Sequence, residues 1–230
     1  MLVPKRRRGS EILDDPATDP AVRERSLHDV RRSNILLGGL RAVLTEVSRL
    51  LPTLGPRGTL LDVGTGLADI PLAARERARK QGVALIVLGV DGAESLSRVC
   101  ARTLDGSACA DVRELPFADA SVDLVTCSQL LHHFDDGEIP RVLRELDRVA
   151  RGHVIVSDLR RSWLAACGFW LVSWPLGFHR VTRHDGVLSV LRGFTAAELS
   201  RHVELATGRR ATVRRYLGWR LTASWEKIAV

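Results

Sequence analysis

The sequence predicts an α/β fold, a doubly wound and mostly parallel β-sheet with helices on both faces. Short, nearly continuous apolar runs have the length of buried strands, and they lie at 59–63, 83–90, 122–127 and 153–157. Helical patterns separate most of these runs, and this alternation is typical of parallel sheets covered on both faces. Two closing runs, 211–219 and 221–228, are joined by so little chain that they predict an antiparallel hairpin.

Helices are predicted where apolar residues recur at intervals of three and four residues. The clearest pattern lies at 138–150, and its apolar face is formed by Ile139, Val142, Leu143, Leu146 and Val149. Two further helices are predicted over 20–32 and 38–51. Near the C-terminus, TAAE at 195–198 is a capping box that begins a helix, and Gly208 is its predicted end.

Length, composition and cysteine usage predict a cytoplasmic protein with one globular domain, or one domain with a small appendage. The 230 residues are 45% hydrophobic and 27% charged, and residues 1–19 are predicted to form a loose arm. No apolar segment follows the basic N-terminal residues, so no secretory signal is predicted. The longest apolar run, 163–178, is too short for a membrane span and is interrupted by Gly and Pro. Free, buried thiols are predicted at Cys100, Cys109, Cys127 and Cys167.

The net charge of +7 raises the question of an anionic partner. The positive charge is almost entirely arginine and is spread along the chain, with lysine only at Lys5, Lys80 and Lys227. We therefore predict a solvated basic surface and no specific nucleic-acid partner. Peripheral contact with an anionic membrane stays open.

The stretch LLDVGTGLADIP, residues 60–71, links a predicted strand to a predicted helix through two glycines. Bare backbone at Gly64 and Gly66 lets a ligand approach the carboxyl edge of the sheet. A dinucleotide loop would have a third glycine where this chain has Asp69, whose carboxylate occupies the anion site at the helix N-terminus. The loop therefore predicts a cofactor without phosphate, and Asp62 suits a cationic group.

At these residues the sequence resembles class I S-adenosylmethionine-dependent methyltransferases, whose first motif is an acid followed by G-x-G-x-G. Ala68 departs from this pattern at the third glycine and adds one methyl group where helix and strand meet. Three more motifs follow in order: VLGVDGAESL, CADVRELPFADASVDLV and SVDLVTCSQLLHHF. The resemblance covers about 55–160 and is to the ubiquinone/menaquinone-type, small-molecule branch. It implies a Rossmann-like, seven-stranded sheet.

The resemblance also implies S-adenosylmethionine as the cofactor and gives the motif positions separate roles. Asp91 would hold the ribose hydroxyls and Asp111 the adenine amino group, while Ser128 and Gln129 would lie near the methionine part. The full implied set is Asp62, Gly64, Thr65, Gly66, Asp91, Gly92, Asp111, Val112, Ser128 and Gln129. The alternatives are helix caps at the two aspartates and ordinary strand-end residues at the last pair.

Two adjacent histidines, His132 and His133, follow the fourth predicted strand beside the expected methyl donor. The resemblance implies that one acts as a base, oriented by Asp158 after the fifth strand. A cap or an ion pair with a neighbouring arginine is the alternative for Asp158. Side chains alternate in an extended stretch, so only one histidine is expected to face the pocket. For the same reason no metal site with Asp135 and Asp136 is predicted.

The run 163–178 directly follows Asp158 and is predicted to form an apolar lid over the acceptor. Residues 1–52 would be an arm and helices that cover the site, and 53–230 the methyltransferase domain with a lid insertion at about 160–195. The candidate substrate contacts are Trp163, Trp170, Trp174, His184 and Arg192. A membrane contact and a plain core helix are the alternatives for 163–178.

Together these features predict an enzyme that transfers a methyl group from S-adenosylmethionine to a hydrophobic small molecule. A histidine near pKa 6.5 can take a proton from a phenol near 10 but not from an aliphatic alcohol near about 16. The acceptor is therefore a phenol, an enol or a polyketide-like molecule, with O-methylation favoured over C-methylation. The alternatives are an RNA or protein methyltransferase, suggested by the charge and the basic arm, and a non-catalytic cofactor-binding protein. The oligomeric state stays open.

Overall fold

The computed structural model describes residues 3–15 and 17–227, which are built around one seven-stranded sheet. The strands are β1 (Arg57–Val63), β2 (Ala84–Asp91), β3 (Gly106–Cys109), β4 (Val122–Ser128), β5 (Ala150–Leu159), β6 (Thr212–Tyr216) and β7 (Arg220–Glu226). Their order is β3-β2-β1-β4-β5-β7-β6. The first five pair in parallel, while β7 pairs antiparallel with both β5 and β6. The predicted fold class is confirmed.

Helices cover both faces of the sheet. They are α1 (Pro20–Leu36), α2 (Gly39–Leu50), α3 (Asp69–Lys80), α4 (Glu94–Cys100), α5 (Ile139–Val149), α6 (Trp163–Ser173), α7 (Arg180–Arg192) and α8 (Ala196–Thr207). One core cluster joins α5 and α8 to the sheet, and a second joins α2 and α3 to the opposite face. Along β1, Leu60 belongs to the second cluster, and Leu61 and Val63 belong to the first. This alternation is that of a strand buried on both sides.

The local signals for helix ends act as predicted. The Thr195 hydroxyl accepts the Glu198 N–H at 3.2 Å, and the Glu198 carboxylate accepts the Thr195 N–H at 2.8 Å. This reciprocal pair satisfies two backbone donors that the first turn of α8 leaves free. Gly208 ends the helix at φ +71°, a conformation that residues with a Cβ avoid.

Two expectations from the sequence are wrong. The N-terminal arm is not loose, because the Arg7 N–H donates to Leu191 O at 3.0 Å and Glu11 is buried. The thiols of Cys109 and Cys167 are exposed, since one lies on the edge strand β3 and the other on the solvent side of α6, whereas Cys100 and Cys127 are buried as predicted. Residues 1, 2 and 16 of the predicted arm and residue 228 of the last predicted strand lie outside the described residues.

The parallel strands end at a common edge of the sheet, where Val63, Asp91, Ser128 and Leu159 close β1, β2, β4 and β5. Segments that follow these strands, together with the arm and α1, converge above this edge. Among the described residues, no helix has the length and apolar content needed to cross a membrane.

Candidate active site

A cavity of about 420 Å³ lies at the carboxyl edge of the sheet, within the size range of small-molecule sites. One end is lined by residues of the glycine loop and its neighbours: Gly64, Gly66, Asp91, Leu96 and Gln129. The other end is lined by residues of the arm, α6 and α7: Glu11, Asp14, Phe169, Val172, Asp185 and Ser189. His132, His133 and Arg220 also line the cavity. One continuous space therefore joins the loop that predicted a cofactor to the histidines that predicted chemistry.

The glycine loop presents bare backbone to this space. Gly66 has φ +54°, and its N–H donates to the Asp91 carboxylate at 2.9 Å. A Cβ built on Gly66 would meet no atom within 4 Å, whereas one on Gly64 would lie 2.9 Å from the Leu130 side chain. Gly66 is thus the position of the loop where an added methyl group would enter open volume.

Ala68 shows why the family pattern has glycine at the third position. Its φ is +61°, the left-handed conformation in which a Cβ costs on the order of 1–2 kcal/mol. Its side chain is fully buried in the core cluster of α2 and α3. Alanine in place of glycine at position 68 therefore costs free energy mainly through its backbone conformation. Burial of the methyl group partly offsets this cost.

Asp62 lies beneath the loop and does not line the cavity. Its side chain is buried and accepts the Thr126 hydroxyl at 2.6 Å. Burial raises the pKa of Asp62 to about 7. Because burial disfavours the ionised form of this carboxyl, a positive charge placed nearby would stabilise that form strongly.

The remaining predicted cofactor residues divide into two groups. Asp91 lines the cavity and also accepts the Ala93 N–H at 2.9 Å, the backbone position that caps α4. Gln129 lines it with φ +53°. Thr65, Gly92, Asp111, Val112 and Ser128 do not line it. The carboxylate of Asp111 is half-exposed and pairs with Arg113 at 2.6 Å.

Arg220 is a cavity residue that sequence reasoning missed. It is buried, and its guanidinium donates to the Gln129 side chain at 2.6 Å and to Leu37 O at 3.4 Å. Burial lowers the pKa of Arg220 to about 10. Among the described residues, no carboxylate lies within ion-pair distance of this guanidinium. A lone arginine in a strand gives no sequence signal for this position.

His132 is held between two carboxylates. Its Nδ1 lies 2.7 Å from Asp158 Oδ1, its backbone N–H donates to Asp158 Oδ2 at 3.1 Å, and its Nε2 lies 3.5 Å from Glu11 Oε1. All three side chains are buried. Burial disfavours the charged ring, but Asp158 and Glu11 outweigh it and raise the pKa of His132 to about 9.

The same ion pairs lower the pKa values of both carboxyls. Burial alone would raise the pKa of Asp158 and of Glu11, and the positive charge and hydrogen bond of His132 reverse that effect. Glu11 is anchored further by Ser189, whose hydroxyl donates to it at 2.6 Å. Sequence reasoning missed Glu11 because it lies in the segment taken for a loose arm.

His133 faces the same cavity, so the expected alternation of the two histidines is wrong. Leu131–His133 form a 3-10 turn, and the two imidazole centroids are 4.4 Å apart. His133 Nδ1 lies 3.2 Å from Asp14 Oδ2, and its Nε2 lies 3.9 Å from Glu11 Oε2. The geometric argument against a metal therefore does not hold, because ligand atoms of Glu11, His132 and His133 lie within 4.8 Å of one another.

Arg192 supports the histidine turn from behind. Its guanidinium donates to the backbone oxygens of His132 at 2.9 Å and His133 at 2.6 Å, and the residue is buried. Arg6 of the arm adds a bond to Phe134 O at 2.9 Å. Arg192 was predicted to contact substrate, but it does not line the cavity.

The predicted tryptophan contacts also lie elsewhere. The cavity is lined from α6 by Ala165, Gly168, Phe169 and Val172. Trp163, Trp170 and Trp174 fall outside this lining and are 42%, 48% and 56% exposed. Helix α6 has apolar residues on all its sides, so the sequence pattern did not show which side faces the cavity. His184 is also outside the cavity, although its ring bonds to Asp185 at 2.8 Å.

Comparisons with known proteins agree with this geometry. The Methyltransf_11 family model, described as a methyltransferase domain, matches residues 61–156. This match covers less than half of the chain, and that part of the chain is similar to a methyltransferase domain. Solved methyltransferase structures with bound S-adenosylmethionine or S-adenosylhomocysteine share its fold, and S-adenosylmethionine is the cofactor that the sequence predicted. No curated protein matches the chain. The ubiquinone/menaquinone-type branch is not singled out by the family match and stays a prediction.

Solved methyltransferase structures share the fold at low sequence identity. A S-adenosylmethionine-dependent methyltransferase from Aquifex aeolicus is 18% identical, with 82% of this chain and 93% of that chain covered and a TM-score of 0.58. The plantazolicin methyltransferase BpumL, in complex with S-adenosylhomocysteine, is 13% identical, with 91% and 90% covered and a TM-score of 0.65. Magnesium protoporphyrin IX methyltransferase from Synechocystis, with bound S-adenosylmethionine, is 13% identical, with 94% and 88% covered and a TM-score of 0.56.

Proposed function

We propose that the protein transfers a methyl group from S-adenosylmethionine to an apolar small molecule that carries an acidic O–H or C–H group. The observation that carries this proposal is that His132, which pairs with the buried Asp158, lines the same cavity as Gly64 and Gly66. The plantazolicin and magnesium protoporphyrin IX enzymes, whose names state small-molecule acceptors, share the fold.

The chain's own residues fit the cofactor. Its sulfonium-bound methyl group supplies the electrophile for the reaction. Asp91 would hold ribose hydroxyls beside the bare backbone of Gly66. The guanidinium of Arg220, which has no ion-pair partner among the described residues, would hold the carboxylate of the methionine part. The loop leaves room for the cofactor, because a Cβ at Gly66 would enter the open volume of the cavity and meet no atom within 4 Å.

The acceptor end of the cavity combines apolar walls with carboxylates. Phe169 and Val172 of α6 supply apolar surface, while Glu11, Asp14 and Asp185 supply negative charge. Carboxylates repel phosphates and carboxylic acids, so this end disfavours RNA and anionic acceptors. It suits a neutral phenol, enol or polyketide-like molecule, with O-methylation favoured.

His132 is the residue that we assign to proton removal. When its ring is neutral, Nδ1–H donates to Asp158 and Nε2 carries the lone pair that accepts the proton lost by the acceptor, with Glu11 3.5 Å away to stabilise the charged ring that results. A base with a pKa of about 9 lies about one unit below a phenol, which leaves an uphill transfer of about 1.4 kcal/mol. With the cofactor bound, the acceptor oxygen would bond to the methyl carbon, and the electrons of the carbon–sulfur bond would stay on sulfur. Proton transfer to His132 balances the charge.

The arm and the α6–α7 region are assigned to covering the acceptor. Leu13 of the arm, Leu27 and Val30 of α1, and Phe169 of α6 all contribute to the cavity wall. These positions support the division into a covering segment, 1–52, and a methyltransferase domain, 53–230, with a lid insertion at about 160–195. Apolar groups that enclose the cavity exclude water, and the enclosure holds the methyl donor and the acceptor in alignment.

Transfer of labelled methyl groups to a panel of acceptors tests the proposal. Phenols and enolisable diketones should be methylated, while aliphatic alcohols of equal size and bulk RNA should not. His132→Ala should lower single-turnover rates by about 10²–10⁴-fold, the usual contribution of a positioned base. His28→Ala, an exposed histidine on α1, is the matched control. Methylation of RNA alone, or equal rates in both variants, would overturn the proposal.

A further inference from the structure

Helix α6 exposes an unusually apolar outer face. Its exposed large side chains, with the residue that follows the helix, are Trp163, Leu164, Trp170, Leu171, Val172 and Trp174. The exposed fraction reaches 61% at Leu171 and 56% at Trp174. Contiguous apolar surface of this kind marks a site of interaction with a protein, a membrane or a ligand. We call Trp163, Leu164, Trp170, Leu171 and Trp174 the α6 outer face.

A groove of about 580 Å³ runs beside this face, between α6 and α7. Two tryptophans of the α6 outer face, Trp170 and Trp174, line it together with Arg7, Arg180 and Arg183. The Arg183 guanidinium lies 3.9 Å from the centre of the Trp174 ring. None of the described residues lining the groove is acidic. Aromatic surface and positive charge therefore occupy the same place.

Positive charge predominates in the sequence around the groove, where Asp185 is buried and pairs with His184. Residues 160–184 include four arginines and no Asp or Glu, and residues 3–10 include Lys5 and three arginines without an acid. Arg6 and Arg161 are drawn inward by ion pairs, with Asp136 at 2.6 Å and with Glu198 at 2.5 Å. Arg7, Arg180 and Arg183 point to the groove instead.

We propose that the α6 outer face binds the surface of an anionic phospholipid bilayer. Tryptophan prefers the headgroup region of a membrane, and arginine contributes attraction to anionic lipid. Leu164 and Leu171 would enter the boundary between headgroups and acyl chains, while the arginines of the groove hold lipid phosphates. A helix of this length lies in the interface and does not cross the membrane.

Two other occupants fit the same surface less well. A symmetric contact between two copies through this groove would bring together two sets of arginines with no acid among the described groove residues, and like charges repel. A nucleic acid would use the arginines and tryptophans but would leave the exposed aliphatic side chains Leu164 and Leu171 in water. The combination of aliphatic, aromatic and basic groups is complementary to a lipid surface.

Docking through α6 would also bring lipid close to the acceptor cavity. The inward side of the helix lines that cavity with Ala165, Gly168 and Phe169, and the outward side would touch lipid. Only helix α6 would then separate the bilayer, in which an apolar acceptor dissolves, from the acceptor cavity. This consequence rests on the proposed function, whereas docking itself does not.

Co-sedimentation with phospholipid vesicles tests the docking. The protein should bind vesicles that contain phosphatidylglycerol, bind pure phosphatidylcholine much less, and show a blue shift of tryptophan emission. Trp170→Ala with Trp174→Ala, and separately Arg180→Glu with Arg183→Glu, should each weaken binding about tenfold or more. Leu205→Ala with Arg215→Glu is the control, because both residues are exposed outside the α6–α7 region.

Three results would overturn the proposal: equal binding of all variants, equal binding to both lipids, or a dimer in light scattering that the tryptophan variant dissociates. Displacement from vesicles by RNA at equal phosphate concentration, followed by a stable RNA complex, would point to nucleic acid instead. Cofactor affinity, measured by calorimetry, should stay unchanged in the surface variants and confirms that they fold. Vesicle binding needs no turnover, so its failure is distinct from a failure of the methyl-transfer proposal.

Discussion

Nδ1 of His132 lies 2.7 Å from Oδ1 of Asp158, and both side chains are buried beside the cavity. The pair joins two parts of the chain, because His132 follows β4 and Asp158 belongs to β5. Glu11 of the arm closes the other side of the ring. Three segments distant in sequence therefore set the protonation of one imidazole.

The first prediction concerns the pH profile. The pKa of His132 is raised to about 9, so the neutral ring, which is the form that accepts a proton, becomes populated as the pH rises towards that value. We expect kcat/KM to increase about tenfold per pH unit above neutrality and to level off above about pH 9. The measurement uses an acceptor whose own pKa has been determined, and a profile that is flat from pH 6 to 10 would contradict the prediction.

The second prediction separates Asp158 from His132. Asp158→Asn keeps a hydrogen-bond acceptor for the ring but removes the charge that raises its pKa. We expect the rising limb of the profile to move to lower pH and the plateau rate to fall, since the neutral amide orients the ring less well. A limb that stays in place would show that His132 is not the titrating group. Asp123→Asn, at a carboxylate paired with Arg151 away from the cavity, serves as the control.

The sequence predicts the sheet better than the site. Apolar runs and helical spacing specified buried strands and α5, because burial on two faces leaves a direct pattern in the residues. The sequence did not locate Glu11 or Arg220, because a single polar residue becomes part of a site only through tertiary contacts. The pairing of His132 with His133 was misjudged for a local reason, as a 3-10 turn replaces the assumed extended stretch.

The tryptophans of α6 illustrate the same limit. A helix with apolar residues all round has no preferred face in the sequence. The choice of Phe169 for the cavity and of Trp170 for the surface depends on how α7 packs against α6. Periodic patterns therefore predict the fold. They do not predict which residues of α6 face the cavity, because this depends on the packing of α7 against α6.

The third prediction concerns metal ions. The raised pKa means that a proton occupies His132 at neutral pH, and a divalent cation on Glu11, His132 and His133 would have to displace it. We expect prolonged dialysis against a chelator to leave the single-turnover rate and the melting temperature unchanged. Elemental analysis should find no stoichiometric transition metal. Loss of activity restored by zinc or iron, but not by magnesium, would contradict this prediction.

The fourth prediction concerns Arg220. Replacing it by Gln removes the one buried guanidinium at the cofactor end of the cavity that has no carboxylate partner among the described residues. A hydrogen bond to a charged group contributes about 1.5–3 kcal/mol, so affinity for S-adenosylmethionine should fall about 10–150-fold. Calorimetry should show a smaller loss for a cofactor analogue that lacks the carboxylate. Arg215→Gln, an exposed arginine on the neighbouring strand, should bind the cofactor normally.

The last prediction uses the glycine loop. Gly66 and Gly82 both have positive φ, +54° and +76°, and a Cβ on either would meet no atom within 4 Å. Alanine at both positions therefore carries a similar backbone cost, about 1–2 kcal/mol, and should lower the free energy of unfolding to a similar extent. Only Gly66 borders the cavity, so only Gly66→Ala should place a methyl group against bound cofactor. Crowding of this kind costs about 1–3 kcal/mol, and the dissociation constant should rise about 5–150-fold in that variant alone. Equal cofactor affinity in the two variants would mean that S-adenosylmethionine does not lie against Gly66, and the cavity would then need another occupant at this end.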